Sequence, residues 1–299
     1  MVKSMNFKEE RIGKITAIEQ ILKKYLPVKE GLQKEIMEAM EYSLLAGGKR
    51  LRPMLMRETY VLFGGDEELI EPFMAAIEMI HTYSLVHDDL PCMDNDEYRR
   101  GNLTTWKKYG YDMAVLAGDK LFIYAFETAA KAFALTDRAD LVGKAISILA
   151  NKAGIYGMIG GQSVDVEYTD RPVTKSQLEF IYELKTAALL EAAMMIGAVL
   201  AGADDNQVKA AEQIAHHVGM AFQIRDDILD VISTTEELGK PVKSDEKNNK
   251  TTYVTIYGLD GASKLVEEYS HTAMTLLDQV CPNASFLKRL FEYLIVRKK

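Results

Sequence analysis

Residues Asp205 to Ile232 read DNQVKAAEQIAHHVGMAFQIRDDILDVI. The apolar positions keep helical spacing and no proline interrupts them, which predicts one helix, capped by Asp205 and reaching Ile232. Inside it, Asp226 and Asp230 are four apart and Asp227 and Asp230 three apart, so three carboxylates crowd one face. Such neighbours repel by ~4 kcal/mol per pair at 4 Å and an effective dielectric near 20. Something positive must sit among them. Oxygen ligands without His or Cys suit a hard cation such as Mg²⁺, which takes a few carboxylates and completes its shell with substrate phosphates. A solvated acidic helix face is the other reading of this motif taken alone.

The helical pattern extends outward over the whole chain. Only seven prolines occur in 299 residues, and 48% of residues are apolar against 27% charged, so the chain can bury a sizeable core and is not disordered. Apolar spacing predicts helices from Ile12 to Leu26, Glu30 to Leu45, Pro53 to Gly64, Glu68 to Asp89, Met113 to Leu135 and Asp140 to about Gly157. Thr174 with Gln177 forms a capping-box pattern opening a long helix to Gly202, and two or three more helices lie between Thr251 and Arg297. No alternating run insists on a sheet, so the fold class is all-α. Polar connections at Asp94–Thr105, Asp165–Val173 and Ser233–Lys250 are long enough to be binding loops. None resembles an interdomain linker, and residues 1–299 are expected to form a single domain.

Charge and cysteine content narrow the function. With 36 basic against 44 acidic side chains, the formal charge is −8, which argues against non-specific nucleic-acid binding. Two cysteines, Cys92 and Cys281, cannot build a disulfide framework. The N-terminus lacks a signal-peptide core, and the most apolar stretch, Ala187 to Ala203, is short and contains Glu191; no membrane span and a cytoplasmic location are expected.

A second acidic cluster, Asp88-Asp89-Leu90-Pro91-Cys92-Met93-Asp94, begins 138 residues before Asp226 at the C-terminal end of an apolar helix. Carboxylates there oppose the helix dipole and cost stability without a cation. Basic residues gather nearby in sequence. Gly47-Gly48-Lys49-Arg50-Leu51-Arg52-Pro53 leads into a helix, Arg99-Arg100 follow the first cluster, and Lys240, Lys243, Lys247 and Lys250 follow the second. The first segment is not a P-loop, since position 43 is Ser and Lys49 is followed by Arg50. In an acidic chain, cations placed beside two acid clusters suggest recognition of a diphosphate.

At these residues the sequence resembles the trans-isoprenyl diphosphate synthases, most closely the bacterial farnesyl diphosphate synthases. The likeness runs in order through GGKRLRP (Gly47–Pro53), HTYSLVHDDLPCMDND (His81–Asp96), RRG (Arg99–Gly101), GGQSVD (Gly160–Asp165), KT (Lys185-Thr186), FQIRDDILD (Phe222–Asp230) and GKPVKSDEKNNKTTY (Gly239–Tyr253). It implies one helical bundle around a deep central cavity, usually a homodimer.

The resemblance also implies roles. Asp88, Asp89, Asp94, Asp226, Asp227 and Asp230 would form the Mg²⁺ site, with three ions per active site, Mn²⁺ as a substitute, and Asp227 placed behind the direct ligands. Arg99, Lys185 and Lys240 would contact the allylic diphosphate. Gly48, Lys49, Arg52, His81 and Arg100 would hold isopentenyl diphosphate. Thr186 and Gln223 would offer oxygen dipoles to a carbocation, while Gln162 and Asp165 belong to a family motif. The reaction implied joins dimethylallyl, then geranyl, diphosphate to isopentenyl diphosphate.

Tyr83 and Ser84 lie five and four residues before Asp88, hence ~7.5 and ~6 Å down the helix, where a bulky ring either acts as a floor or simply packs between helices; the resemblance implies that a large aromatic there stops the tail at C15. A geranylgeranyl diphosphate synthase is the alternative within the family. A non-catalytic prenyltransferase subunit, free to lose an Asp cluster, and a terpene cyclase, with no need of GGKRLRP, are less consistent with the two intact clusters and that segment.

Overall fold

In a computed structural model, residues 6–66, 68–169, 171–232 and 251–296 are described. Helices dominate, as the periodicity requires. In chain order they are α1 (Phe7–Tyr25), α2 (Lys34–Leu44), α3 (Leu51–Leu62), α4 (Glu71–Asp88), α5 (Thr105–Tyr109), α6 (Tyr111–Ala130) and α7 (Ala139–Ala153). There follow α8 (Met158–Glu167), α9 (Lys175–Ile181), α10 (Ala188–Leu200), α11 (Asp205–Ile232), α12 (Tyr253–Val280) and α13 (Ser285–Val296). Among the described residues the strands are β1 (Tyr98–Arg99) and β2 (Asn102–Leu103), a two-residue hairpin.

Helix ends follow local chemistry. The side chain of Asn6 accepts the N–H of Lys8 at the start of α1, with Glu9 and Glu10 in its first turn and Lys23 and Lys24 in its last, complementing the dipole. The expected Thr174–Gln177 capping box opens α9. Three expectations need correction. α2 starts at Lys34, not Glu30, because Gly31 sits at φ +78° and breaks the approach. The cap of α11 is Asp204, which exchanges 2.9 Å bonds with Gln207, rather than Asp205. Asp165 belongs to helix α8, not to a loop.

The chain divides into two compact units, Met1–Arg57 with Asp66–Ile146, and Glu58–Gly65 with Ser147–Lys299. Two of the three divisions fall inside α3 and α7, and the third follows the Gly64-Gly65 turn. In the first unit, α4 packs along α6 and against α1 and α2, burying Leu22, Met40, Leu44, Phe73, Met74, Ile77, Met79 and Leu121. In the second, α11 packs against α10 and α12, burying Leu189, Met194, Ile196, Met220, Ile224 and Tyr253. Met195 is half-buried.

An ion pair lies within the first core. Arg50 and Glu78 are 2% and 3% exposed, and Arg50 Nη1 donates to Glu78 Oε1 at 2.8 Å. Arg50 Nη2 donates to the carbonyl of Leu44 at 2.9 Å, near the end of α2. The arginine thus holds the GGKRLRP segment to α2 and α4, at a backbone φ of +48° that side chains rarely adopt. Glu78→Ala should destabilise the protein by about 3–5 kcal/mol, because it strands a buried guanidinium. Chemical denaturation checks this; a loss under about 1 kcal/mol would show that the pair does not anchor the segment.

Candidate active site

The first unit builds a cationic nest beside an acidic helix end. α4 finishes at Asp88, and the chain turns back so that Asp94 N–H donates to the Asp88 carbonyl at 2.8 Å, bringing Asp94 to the helix terminus. The hairpin then turns through Arg100 and Gly101, at φ +53° and +79°, a two-residue turn of the kind that suits the strand twist. That turn sends Arg99 and Arg100 in different directions. Arg99 grips Asp89 with a fork, Nε at 2.8 and 3.0 Å and Nη2 at 2.6 Å. Burial pushes the Asp89 carboxyl above its usual range against the pull of Arg99, and contact with Asp89 more than offsets the burial of Arg99. Arg100 Nη1 donates to the carbonyl of Gly47. A Cβ at Gly48 would come within 2.6 Å of that guanidinium, and φ there is +139°, so this position needs glycine.

Arg52 and His81 complete the nest. The Nε of Arg52 is buried with no hydrogen-bond partner. Burial lowers the Arg52 pKa to about 10, with Glu78 opposing and Arg100 adding repulsion. His81 is held well below the usual imidazole value by burial, then by Arg52, Arg100, Arg99 and Arg50. It is therefore neutral at pH 7 and adds no positive charge of its own. A half-buried guanidinium whose buried Nε lacks a partner fits an anion. Lys49 is exposed on the same segment.

Tyr83 and Ser84 lie on α4. Tyr83 is 8% exposed and its ring meets those of Phe122 and His87 edge-on at 4.8 and 5.8 Å; Phe122 in turn meets Phe126 at 5.5 Å. Ser84 Oγ donates to the His81 carbonyl at 2.9 Å, so its hydroxyl is engaged by its own helix.

The second unit gathers Lys185, Thr186, Gln223 and the second Asp cluster. Lys185 and Thr186 sit in a π-helical turn, Tyr182–Ala187, between α9 and α10. Such turns shift side chains out of α register and are frequent at functional sites. Helix α8 approaches this turn so closely that a Cβ at Gly161 would lie 2.3 Å from the Lys185 nitrogen. The approach pairs Asp165 with Lys185 at 2.5 Å.

Thr186 Oγ1 lies 2.9 Å from Gln223 Oε1, and Gln223 Nε2 donates to Asp227 Oδ1 at 3.4 Å. Asp227 Oδ2 accepts from Tyr182 at 2.7 Å and from the Tyr253 N–H at 3.1 Å, so this carboxylate caps the start of α12. Asp226 is half-buried and Asp230 is 4% exposed. Lys240, with the rest of the lysine-rich segment to Lys250, lies outside the described residues.

The donor set fits a hard divalent cation: the acids at both clusters offer oxygen only, and Asp89 and Asp227 are already committed to Arg99 and to Tyr182 with Tyr253. Among the described residues no three carboxylate, imidazole or thiol groups converge as a ready-made cage. Sequence reasoning passed over Arg50–Glu78, Tyr182 and Tyr253. Glu78 carried a signal, since it is a lone charge in the apolar run Phe73 to Ile80.

The family model described as polyprenyl synthetase matches residues 33–281. A farnesyl diphosphate synthase from Geobacillus stearothermophilus is 42% identical over 94% of each chain. A chloroplastic geranylgeranyl pyrophosphate synthase from Catharanthus roseus is 43% identical over 98% of this chain and 82% of its own. A crystal structure of an FPP/GFPP synthase from Zymomonas mobilis aligns with a TM-score of 0.87 at 32% identity, covering 97% of this chain and 99% of the other. Among the described residues no helix is long and apolar enough to cross a membrane.

Proposed function

Because the chain belongs to the polyprenyl synthetase family and is thus a short-chain prenyltransferase, we propose that it makes farnesyl diphosphate from dimethylallyl, then geranyl, diphosphate and isopentenyl diphosphate. The observation that carries the reading is the nest around Arg52, whose buried Nε lacks an acceptor while neighbouring Arg50, Arg99, Arg100 and Lys49 crowd cations into an acidic chain. In this reading Gly48, Lys49, Arg52, His81 and Arg100 hold isopentenyl diphosphate. Arg99, Lys185 and Lys240 contact the allylic diphosphate.

Asp88, Asp94, Asp226 and Asp230 hold Mg²⁺, and Asp89 and Asp227 keep Arg99 and Gln223 in place. When bound, Mg²⁺ supplies positive charge against the diphosphate leaving group. Arg99, Lys185 and Lys240 add charge-assisted hydrogen bonds to the same oxygens as the allylic C–O bond breaks and its electron pair leaves with diphosphate. The Thr186 and Gln223 oxygens lie near the resulting allylic cation. The double bond of isopentenyl diphosphate, oriented by the nest, attacks that cation, and a proton passes to the released diphosphate. The protein acts as a homodimer in this reading; Leu116 and Ile123, seven apart on α6 and 51% and 55% exposed, support it.

The C15 product rests on Tyr83, whose ring is braced by Phe122 and His87 and cannot easily retreat from a growing tail. Relatives named for geranylgeranyl diphosphate favour C20 as the alternative. Tyr83→Ala should shift products from C15 towards C20, since the next tail no longer overpacks the site. Chromatography of dephosphorylated products checks this. An active variant that still made C15 alone would remove Tyr83 as the stop.

A further inference from the structure

The π turn and α10 together meet α11 along a ladder of contacts that starts at Thr186 and Gln223, 2.9 Å apart. At the next rung a Cβ on Gly219 would lie 2.6 Å from the Cβ of Ala187, so the helices touch with no side chain between them. One turn further, His216 Nδ1 lies 3.1 Å from Glu191 Oε1. Lys152 of α7 then bridges both helices, donating to Glu191 Oε2 and, at 2.6 Å, to Glu212 Oε1. Glu191 is 7% exposed in a helix whose other buried residues are apolar or glycine. An apolar side chain would hold α10 on α11 without the cost of desolvating a carboxylate. What the charge adds is direction, because it must meet Lys152 and His216 at one register only.

We propose that Glu191 is a positioning residue for prenyl transfer, fixing through Lys152 and His216 the register of α10 on α11 and so the placement of Thr186 against Gln223. The inference rests on the prenyltransferase reading of this site. Glu191 lies five residues beyond Thr186 along the same continuous helical segment, and His216 seven before Gln223, so a slip at the clamp is carried directly to the pair.

The charged groups facing His216 are Glu191 of α10, Glu183 of the π turn and Lys152 of α7, with Glu212 and His217 on its own helix; the His217 ring lies 5.7 Å from that of Tyr269 on α12. The bond to Glu191 raises the His216 pKa above 6.5, against burial. The clamp is therefore complete below pH 6.5 and weakens as pH rises through the raised value.

The test measures kcat and KM against pH for the wild type, Glu191→Gln and His216→Asn, with an NMR titration of His216 and thermal melts. Glu191→Gln should lower kcat on the order of tenfold while changing KM for either diphosphate by less than about twofold. In that variant the His216 midpoint should fall to its ordinary value or below. His216→Asn keeps a donor for Glu191 and cannot titrate. It should show no decline with pH, and its kcat at acid pH should already match the value to which the wild type falls once His216 is deprotonated.

If Glu191→Gln does not fold, that pH limb decides the matter. A lower melting temperature with unchanged kcat in Glu191→Gln, or a decline that persists in His216→Asn, would overturn the positioning role alone. A wild type that transfers no prenyl group would overturn the transferase reading together with it.

Discussion

Excess EDTA should reduce prenyl transfer to below about a thousandth of its initial rate, and excess Mg²⁺ should restore it. The expectation follows from how the protein's own cations are already used. Arg99 is forked onto Asp89, Lys185 is paired with Asp165 at 2.5 Å, and Arg100 donates to a backbone carbonyl. A diphosphate entering beside Asp88 and Asp94, or beside Asp226 and Asp230, would meet carboxylates that repel it, with the cations named above already engaged among the described residues. A divalent ion reverses that balance. Sustained turnover in chelator without any divalent cation would contradict the assignment of both acid clusters.

Asp226→Ala should lower turnover roughly 10²-fold with little change in folding stability. Asp226 is half-buried with Asp230 one turn on, and in the proposed site its removal takes away a cation ligand. Asp227 makes the contrast informative, because it accepts from Tyr182 and caps α12 through Tyr253. Steady-state kinetics with a thermal melt on Asp226→Ala checks the prediction. Near wild-type turnover would move the metal site away from this residue.

The parts of the site that could be read from the sequence are those made by neighbours in the chain. The spacing of Asp226 and Asp230 and the run GGKRLRP are local patterns with a physical meaning at one helix face or one helix start. The partners that position them are distant. Arg50 and Glu78 are 28 residues apart, Asp165 and Lys185 20, and Asp227 and Tyr253 26, and no periodicity encodes such pairings. The π turn was hidden because one inserted residue leaves the apolar pattern of Lys175 to Leu200 looking continuous. The hairpin was hidden because two-residue strands carry no alternation and its turn is Arg100-Gly101 rather than Asn-Gly. Helix α8 runs through Gly160 and Gly161, and Gly161 is where the π turn comes closest.

The central claim is that this chain elongates an allylic diphosphate and stops at fifteen carbons. Incubating the protein with dimethylallyl diphosphate, radiolabelled isopentenyl diphosphate and Mg²⁺, then separating the dephosphorylated alcohols by chromatography, tests it directly. The account predicts farnesol as the main labelled alcohol, with geraniol as the minor intermediate. Label recovered mainly as the C20 alcohol, or only as the unextended C5 alcohol, would contradict it.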